Sequence, residues 1–290
     1  MSEYVIVTDS ATDLNAQQVK ELELEVLPLA FIMGDKTYYD YPDKRDMSSE
    51  EFYNRLAGGE MATTNAINVG QATDAIEPLL QAGKDVLVLG FSSGLSTTYN
   101  SMKIACEELG EKYPERKVFA VDTLCASMGQ GLLVWYAARM RQEGKSIEEV
   151  RDWVEANKLH LCHWFTVNDL MHLKRGGRVS ATTAVVGTML QIKPVLHVDD
   201  EGHLINVGKA RGRKASLDAL VAKVGESATD PAGQTMFISH SACEEDAQYV
   251  ADQVKAKYGV QEVVSNYIGP VIGAHTGQGC GALYFLGTKR

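Results

Sequence analysis

Residues 86–101, VLVLGFSSGLSTTYNS, break from an apolar run into a hydroxyl-rich turn. The apolar run predicts a buried parallel strand, and the amphipathic run after Leu95 predicts a helix. The turn therefore lies at the carboxyl end of a strand, which is where open α/β sheets bind ligands. Backbone N–H groups at the start of the helix favour an anion, and Ser92, Ser93 and Ser96 can add hydroxyl donors. The pattern indicates a site for a negatively charged group, although Ser93 or Ser96 could equally serve only to cap the helix.

Strands and helices alternate on both sides of this stretch. A strand at 4–8 precedes a capped helix, and a strand at 117–121 precedes a long helix at 127–142. This spacing predicts a mostly parallel sheet in the N-terminal part. The segment 24–33 is predicted as one extended run, with a hairpin turn at 34–36.

The second half of the chain predicts a second α/β unit. A β-hairpin is expected at 193–207, a helix at 244–258, and strands at 235–239 and 261–267. We expect two α/β domains, an N-terminal domain at 1–158 and a C-terminal domain at 159–290.

The bulk composition bounds the class of protein. The chain has 290 residues and a formal net charge of −10, which argues against a nucleic-acid-binding face. Five scattered cysteines without a CxxC pair predict neither a disulfide framework nor a zinc site. No basic leader and no apolar run of about 20 residues is visible, so a cytoplasmic protein is expected, with at most transient membrane contact.

Four separated segments carry a family resemblance. They are VTDSATDL (7–14), FSSGLSTTYNS (91–101), LKRGGRVS (173–180) and GPVIGAHTG (269–277). In this order they resemble the signatures of the DegV family, bacterial fatty-acid-binding proteins that serve a fatty acid kinase. The departures are small: TTNA at 63–66 and Thr97 replace more usual residues.

The resemblance implies a long-chain fatty acid held between two α/β domains, with its tail buried and its carboxylate near the hydroxyl-rich loops. The head-group residues it implies are Thr63, Thr64, Ser92, Ser93 and His275. From the residues alone, Thr63 and Thr64 in a predicted loop at 62–65 could simply make turn hydrogen bonds. His275, in a predicted glycine-rich loop at 269–281, could equally be a structural histidine.

A basic segment follows the proposed domain boundary. From 170 to 198 there is no acidic residue, whereas Lys174, Arg175, Arg178 and Lys193 are cationic. Such runs usually form a solvated face, but a phosphate or an acidic partner is a serious competitor.

The resemblance further implies a partner, an ATP-dependent kinase of the dihydroxyacetone-kinase-like type that makes acyl-phosphate for phospholipid synthesis. Lys174, Arg175 and Arg178 would face that partner. The chain itself would be a monomeric carrier with no cofactor and no catalytic residue.

A serine hydrolase is the alternative. Residues 90–94 match G-x-S-x-G between a strand and a helix, the context of a nucleophile elbow. Ser92 would be the nucleophile, His275 the base and Asp199 its orienting group. The pattern is short, and the second serine, the threonine pair and the basic segment fit carboxylate binding better.

Metal and nucleotide chemistry have less support. His160, Cys162 and His163 lie on a predicted strand where only the first two share a face, so core packing is the better explanation. The chain contains neither a G-x-x-x-x-G-K-[ST] loop nor a G-x-G-x-x-G after the first strand. An autonomous nucleotide-dependent enzyme is therefore not predicted.

Overall fold

The computed structural model describes residues 3–179 and 191–290, so Ser180 and the rest of the acid-free segment up to residue 190 lie outside the described part. In chain order the strands are β1 (Tyr4–Asp9), β2 (Glu25–Leu27), β3 (Ala30–Met33), β4 (Lys36–Tyr39), β5 (Ala62–Asn65), β6 (Asp85–Gly90), β7 (Val118–Asp122), β8 (Leu161–Thr166), β9 (Ile192–Val198), β10 (Leu204–Arg211), β11 (Met236–His240), β12 (Val263–Tyr267) and β13 (Gly281–Leu286). The helices are α1 (Ala16–Glu21), α2 (Ser49–Ala57), α3 (Val69–Gln81), α4 (Thr98–Lys112), α5 (Met128–Gln142), α6 (Ile147–Asn157), α7 (Met171–Arg175), α8 (Arg213–Ser227), α9 (Glu244–Tyr258) and α10 (Pro270–Thr276).

The N-terminal part contains a parallel sheet with the strand order β2-β1-β6-β7. Every residue of β6 is buried, because apolar clusters that contain helix residues cover both faces of the sheet. The predicted α/β fold with a parallel N-terminal sheet is confirmed. Asn15, Asn68 and Ser146 each form a capping box with the glutamine or glutamate three residues further on, which fixes the start of a helix.

Two further sheets complete the described part of the chain. A small antiparallel sheet has the order β4-β3-β5, and a six-stranded sheet has the order β10-β9-β8-β13-β11-β12. In the larger sheet only β11 and β12 pair in parallel. The predicted hairpin is formed by β9 and β10.

Three local predictions were wrong. The run at 24–33 forms β2 and β3 in different sheets, because Pro28 interrupts it. The expected loop at 62–65 is β5, which becomes a strand by pairing with β3. The expected glycine-rich loop contains α10, which begins with Pro270 at its first turn.

The two halves share a core. One buried apolar cluster includes Leu87 and Val121 from the parallel sheet, Leu132 from α5, and Phe237 and Tyr284 from the six-stranded sheet. The strands of the first two sheets all precede residue 123, and those of the third all follow residue 160. The proposed division at 158/159 rests on this separation of strands.

The loop after β6 makes a close contact with the C-terminal half. Ser92 Oγ donates a hydrogen bond of 2.9 Å to the carbonyl of Gly202, in the turn between β9 and β10. A Cβ at Gly94 would lie 2.7 Å from the Glu201 carbonyl oxygen, so only glycine permits this approach. The stretch that contains β6 therefore also holds the turn of the C-terminal hairpin between β9 and β10.

Candidate functional site

A cavity of about 390 Å³ lies between the two halves, a size typical of small-molecule sites. Most of its wall is apolar and comes from both halves of the chain: Leu29, Phe91, Leu95, Ala126, Phe165, Leu173, Val198, Leu204, Ile268, Val271, Ile272 and Ala282. Such a wall fits an apolar ligand, because burial of apolar surface is the main source of its binding free energy.

Polar side chains gather at the mouth of the cavity. Thr64 and Ser93 contribute to its wall next to Asn65, Ala66 and Thr97, which are exposed to solvent. The deep wall includes buried residues of β8 and β13. A ligand with one polar end can therefore keep that end at the mouth and bury the rest.

The central contact at the mouth joins Thr64 to His275. Thr64 Oγ1 lies 2.9 Å from His275 Nε2, and β5 and α10 bring these residues together from opposite ends of the chain. The other ring nitrogen, Nδ1, is buried and has no hydrogen-bond partner among the described residues. An unpaired buried N–H is rarer than an unpaired acceptor, so we place the imidazole proton on Nε2, where it is donated to Thr64. The Thr64 hydroxyl then remains free to donate its own proton to a ligand.

His275 is neutral in this setting. Burial lowers its pKa to about 4, and the positive charge of Arg178 acts in the same direction. The loss of hydration penalises the charged imidazolium, so the ring acts as a hydrogen-bonding group rather than as a cation at neutral pH.

Ser93 lies in the loop after β6, and its backbone is held by a carboxylate. Asp122 Oδ1 accepts the Ser93 N–H at 3.2 Å and the Leu124 N–H at 3.0 Å, while Asp9 Oδ2 accepts the Phe91 N–H at 2.8 Å. The Ser93 hydroxyl itself has no partner within residues 3–179 and 191–290 and is available to a ligand. Ser96 instead accepts the Thr98 N–H near the start of α4. The N-cap residue of this helix is Thr97, which makes no side-chain capping hydrogen bond, so neither Ser93 nor Ser96 takes the capping role weighed for them.

Thr63 and Ser92, also predicted as head-group residues, do not contribute to the cavity wall. Thr63 is exposed, because successive residues of β5 point to opposite faces and Thr64 takes the inner one. Ser92 is fully buried, and its hydroxyl bonds to Gly202 and Gly94.

The alternative hydrolase triad is not assembled. Ser92 donates to a carbonyl, His275 pairs with Thr64, and Asp199 Oδ1 accepts backbone N–H groups of its own turn. A nucleophile and its base must lie within hydrogen-bond reach of each other, and these three side chains have other partners.

The basic residues divide into two groups. Lys174 and Arg175 are exposed at the end of α7. Arg178 is half-buried in the cavity wall, where Nε donates 3.2 Å to the Leu95 carbonyl and a terminal nitrogen donates to the Gly176 carbonyl. Sequence reasoning grouped Arg178 with its neighbours. Gly176 and Gly177 mark a turn in the sequence, but the contact with Leu95 that draws Arg178 into the wall is tertiary and is not visible there.

The residues weighed as metal ligands are occupied by backbone groups. His163 lies within hydrogen-bond distance of Ala126 N and Leu161 O, and His160 Nδ1 lies 3.2 Å from Gly287 O. No helix in the described ranges is long and apolar enough to span a membrane.

A family model described as an uncharacterised protein of the DegV family matches residues 3–287. The chain belongs to the DegV family. A DegV domain-containing protein of Clostridium perfringens is 48% identical over 290 residues, which cover 100% of this chain and 99% of the relative.

Solved DegV structures share the fold. A DegV lipid-binding protein from Thermotoga maritima has a TM-score of 0.86 and 27% identity, with 99% of each chain covered. A DegV-family protein from Thermus thermophilus, whose structure concerns fatty acid binding, also has a TM-score of 0.86, with 29% identity over 98% of this chain and 99% of that one.

The packing of Gly176 against His275 provides a test of the mouth geometry. A Cβ at Gly176 would lie 2.2 Å from His275 Nδ1, although its φ of −70° suits alanine. Gly176→Ala should therefore displace the imidazole and break its bond to Thr64. We expect changed ¹⁵N chemical shifts of the His275 ring and a lower melting temperature.

Gly177→Ala is the matched control. Gly177 has a φ of +72°, but a Cβ there would meet no atom of the described residues within 4 Å apart from its chain neighbours. Alanine at this position therefore costs about 1 kcal/mol of backbone strain without touching His275. His275 shifts that stay unchanged in Gly176→Ala would refute the proposed packing.

Proposed function

We propose that this chain binds a long-chain fatty acid, with the tail in the cavity and the carboxylate at the mouth, and presents it to an ATP-dependent fatty acid kinase. The chain acts as a cytoplasmic carrier subunit, a monomer without cofactor or catalytic residue of its own. Family membership supports the ligand class, since related DegV proteins are described as lipid-binding and fatty-acid-binding.

One observation carries the proposal: hydrogen-bond donors are found at the open end of an otherwise apolar cavity. With the His275 proton on Nε2, the Thr64 hydroxyl is a donor to the ligand, and the Ser93 hydroxyl is a second. A carboxylate accepts only, so two hydroxyl donors complement it. Thr63 and Ser92 are therefore dropped from the head-group set.

The apolar wall supplies the affinity. Burial of about 0.8 kcal/mol per CH₂ gives roughly 10 kcal/mol for a 16-carbon tail before the costs of association. The hydroxyl donors at the mouth then select a ligand that ends in a carboxylate. A ligand with an apolar end would leave these hydroxyl groups without a hydrogen-bond acceptor.

The position of the mouth suits a carrier. The kinase must bring the γ-phosphate of ATP to the carboxylate, whose oxygen attacks phosphorus as ADP leaves. Asn65, Ala66 and Thr97 are exposed beside the head-group residues, so a partner can reach this end while the tail stays buried. Lys174 and Arg175, both exposed, are proposed to contact an acidic surface of the partner.

Arg178 receives a different role from its two neighbours. Its half-buried place in the cavity wall and its electrostatic effect on His275 support a charge interaction with the bound carboxylate. Burial lowers the pKa of the guanidinium from its usual value, yet arginine remains cationic at neutral pH.

The hydroxyl donors are tested by Thr64→Val, Ser93→Ala and the double variant. Each change removes a hydrogen bond to a charged group, worth about 1.5–3 kcal/mol, so each single variant should bind hexadecanoate about tenfold or more weakly by calorimetry. Thr63→Val, on the opposite face of β5, is the control and should bind as the parent does. A double variant with parental affinity would remove Thr64 and Ser93 from the site.

The division of the basic residues is tested by comparing Arg178→Met with the pair Lys174→Ser and Arg175→Ser. Arg178→Met should weaken fatty acid binding about tenfold through loss of a partly buried charge. The paired variant should keep its ligand affinity and slow acyl-phosphate formation with kinase and ATP, because rim charges act mainly on association. If Arg178→Met instead bound fatty acid normally and failed only with the kinase, Arg178 would belong to the docking surface.

A further inference from the structure

A chain of hydroxyl groups reaches the deep wall of the cavity. Ser127 donates to the carboxylate of Asp13, Ser127 Oγ lies 3.0 Å from Ser239 Oγ, and Ser239 Oγ lies 2.9 Å from Tyr284 Oη. All four residues are at least 95% buried. Ser127 and Tyr284 contribute to the cavity wall, whereas Ser239 and Asp13 lie behind it. This hydroxyl chain gives the tail region a polar patch, beside the His163 and Thr276 side chains that also contribute to the wall.

The backbone around Ser127 and Asp13 holds these two side chains in place. Ser127 has φ 53° and ψ −146°, a conformation that costs a residue other than glycine about 1–3 kcal/mol. Asp13 is held from the other side, since its Oδ1 accepts the Gly269 N–H at 2.8 Å. A hydroxyl at this strained position points to a function for the side chain.

In its ionised form the Asp13 carboxylate fixes the direction of every proton in the chain. A carboxylate only accepts, so Ser127 must donate to Asp13. Each hydroxyl has one proton, so Ser239 donates to Ser127 and Tyr284 donates to Ser239. The phenol proton is therefore used, and Tyr284 Oη offers the cavity lone pairs but no proton.

We propose that this hydroxyl chain selects fatty acids that carry a hydroxyl group along the acyl tail, with that group donating its proton to Tyr284 Oη. The inference rests on the proposed function and names its substrate class. A hydroxyl buried in a wholly apolar tail pocket would lose its hydrogen bonds to water without replacement. Here the wall supplies an acceptor, and it discriminates against an oxo group, which can only accept.

The experiment measures binding of three kinds of ligand to the full chain by calorimetry. They are octadecanoate, a set of hydroxyoctadecanoates that differ in the carbon bearing the hydroxyl, and the oxo acids of the same set. Burial raises the pKa of the Asp13 carboxyl to about 7, so the titrations are done well above that pH, where the carboxylate is ionised.

For at least one hydroxyl position, we expect the hydroxy acid to bind as tightly as octadecanoate or up to about tenfold more tightly. The oxo acid of the same position should bind about tenfold or more weakly than the hydroxy acid. If every hydroxy acid binds more weakly than octadecanoate, or no better than its oxo counterpart, the inference is wrong. If octadecanoate itself does not bind, the proposed function fails first.

Two variants test the assigned proton direction. Tyr284→Phe removes the acceptor and should reduce the preference for the hydroxy acid over octadecanoate about three- to tenfold; this ratio cancels any general change in affinity. Ser239→Ala, behind the wall, frees the phenol proton and should shift the preference toward the oxo acid. An unchanged hydroxy-to-oxo ratio in Ser239→Ala would contradict the direction, and the parent protein alone tests the selection if a variant fails to fold.

Discussion

The buried carboxylate of Asp13 ties the two halves of the chain together beneath the cavity. It accepts the Gly269 N–H at the start of α10 and the Ser127 hydroxyl at the start of α5, and its backbone carbonyl accepts from Asn266 at 3.0 Å. A buried carboxylate is costly unless its oxygens are paired, so these donors must stay in place. Because α10 carries His275, the same carboxylate that joins the halves also sets the position of the mouth.

The cavity consequently has two polar ends of different character. At the mouth, His275 donates a hydrogen bond to Thr64 Oγ1. The Thr64 hydroxyl is then free to donate its own hydrogen bond to a carboxylate. At the deep end, Asp13 draws the protons of Ser127, Ser239 and Tyr284 away from the cavity, which leaves an acceptor. In both places the hydrogen-bond partner of a wall hydroxyl decides what that hydroxyl can offer a ligand.

Much of the fold could be predicted because its signals are local. Apolar runs and capping residues located the parallel sheet and most helices to within a few residues. β5 and α10 were missed because tertiary pairing with β3 made a strand of ATTN, and a high glycine content concealed a helix that begins at Pro270. Ser93 was named from the turn that follows a predicted strand, and Thr64 was favoured by the family resemblance. Alternation along β5 and the contact between Arg178 and Leu95 decide which of their neighbours reach the cavity, and neither is visible in composition.

A crystal structure of the protein with hexadecanoate tests the central claim most directly. The account predicts a carboxylate within hydrogen-bond distance of Thr64 Oγ1 and Ser93 Oγ, with the tail running past Phe165 toward Tyr284. A carboxylate at the deep end, or a fatty acid bound outside the cavity between the two halves, would contradict it.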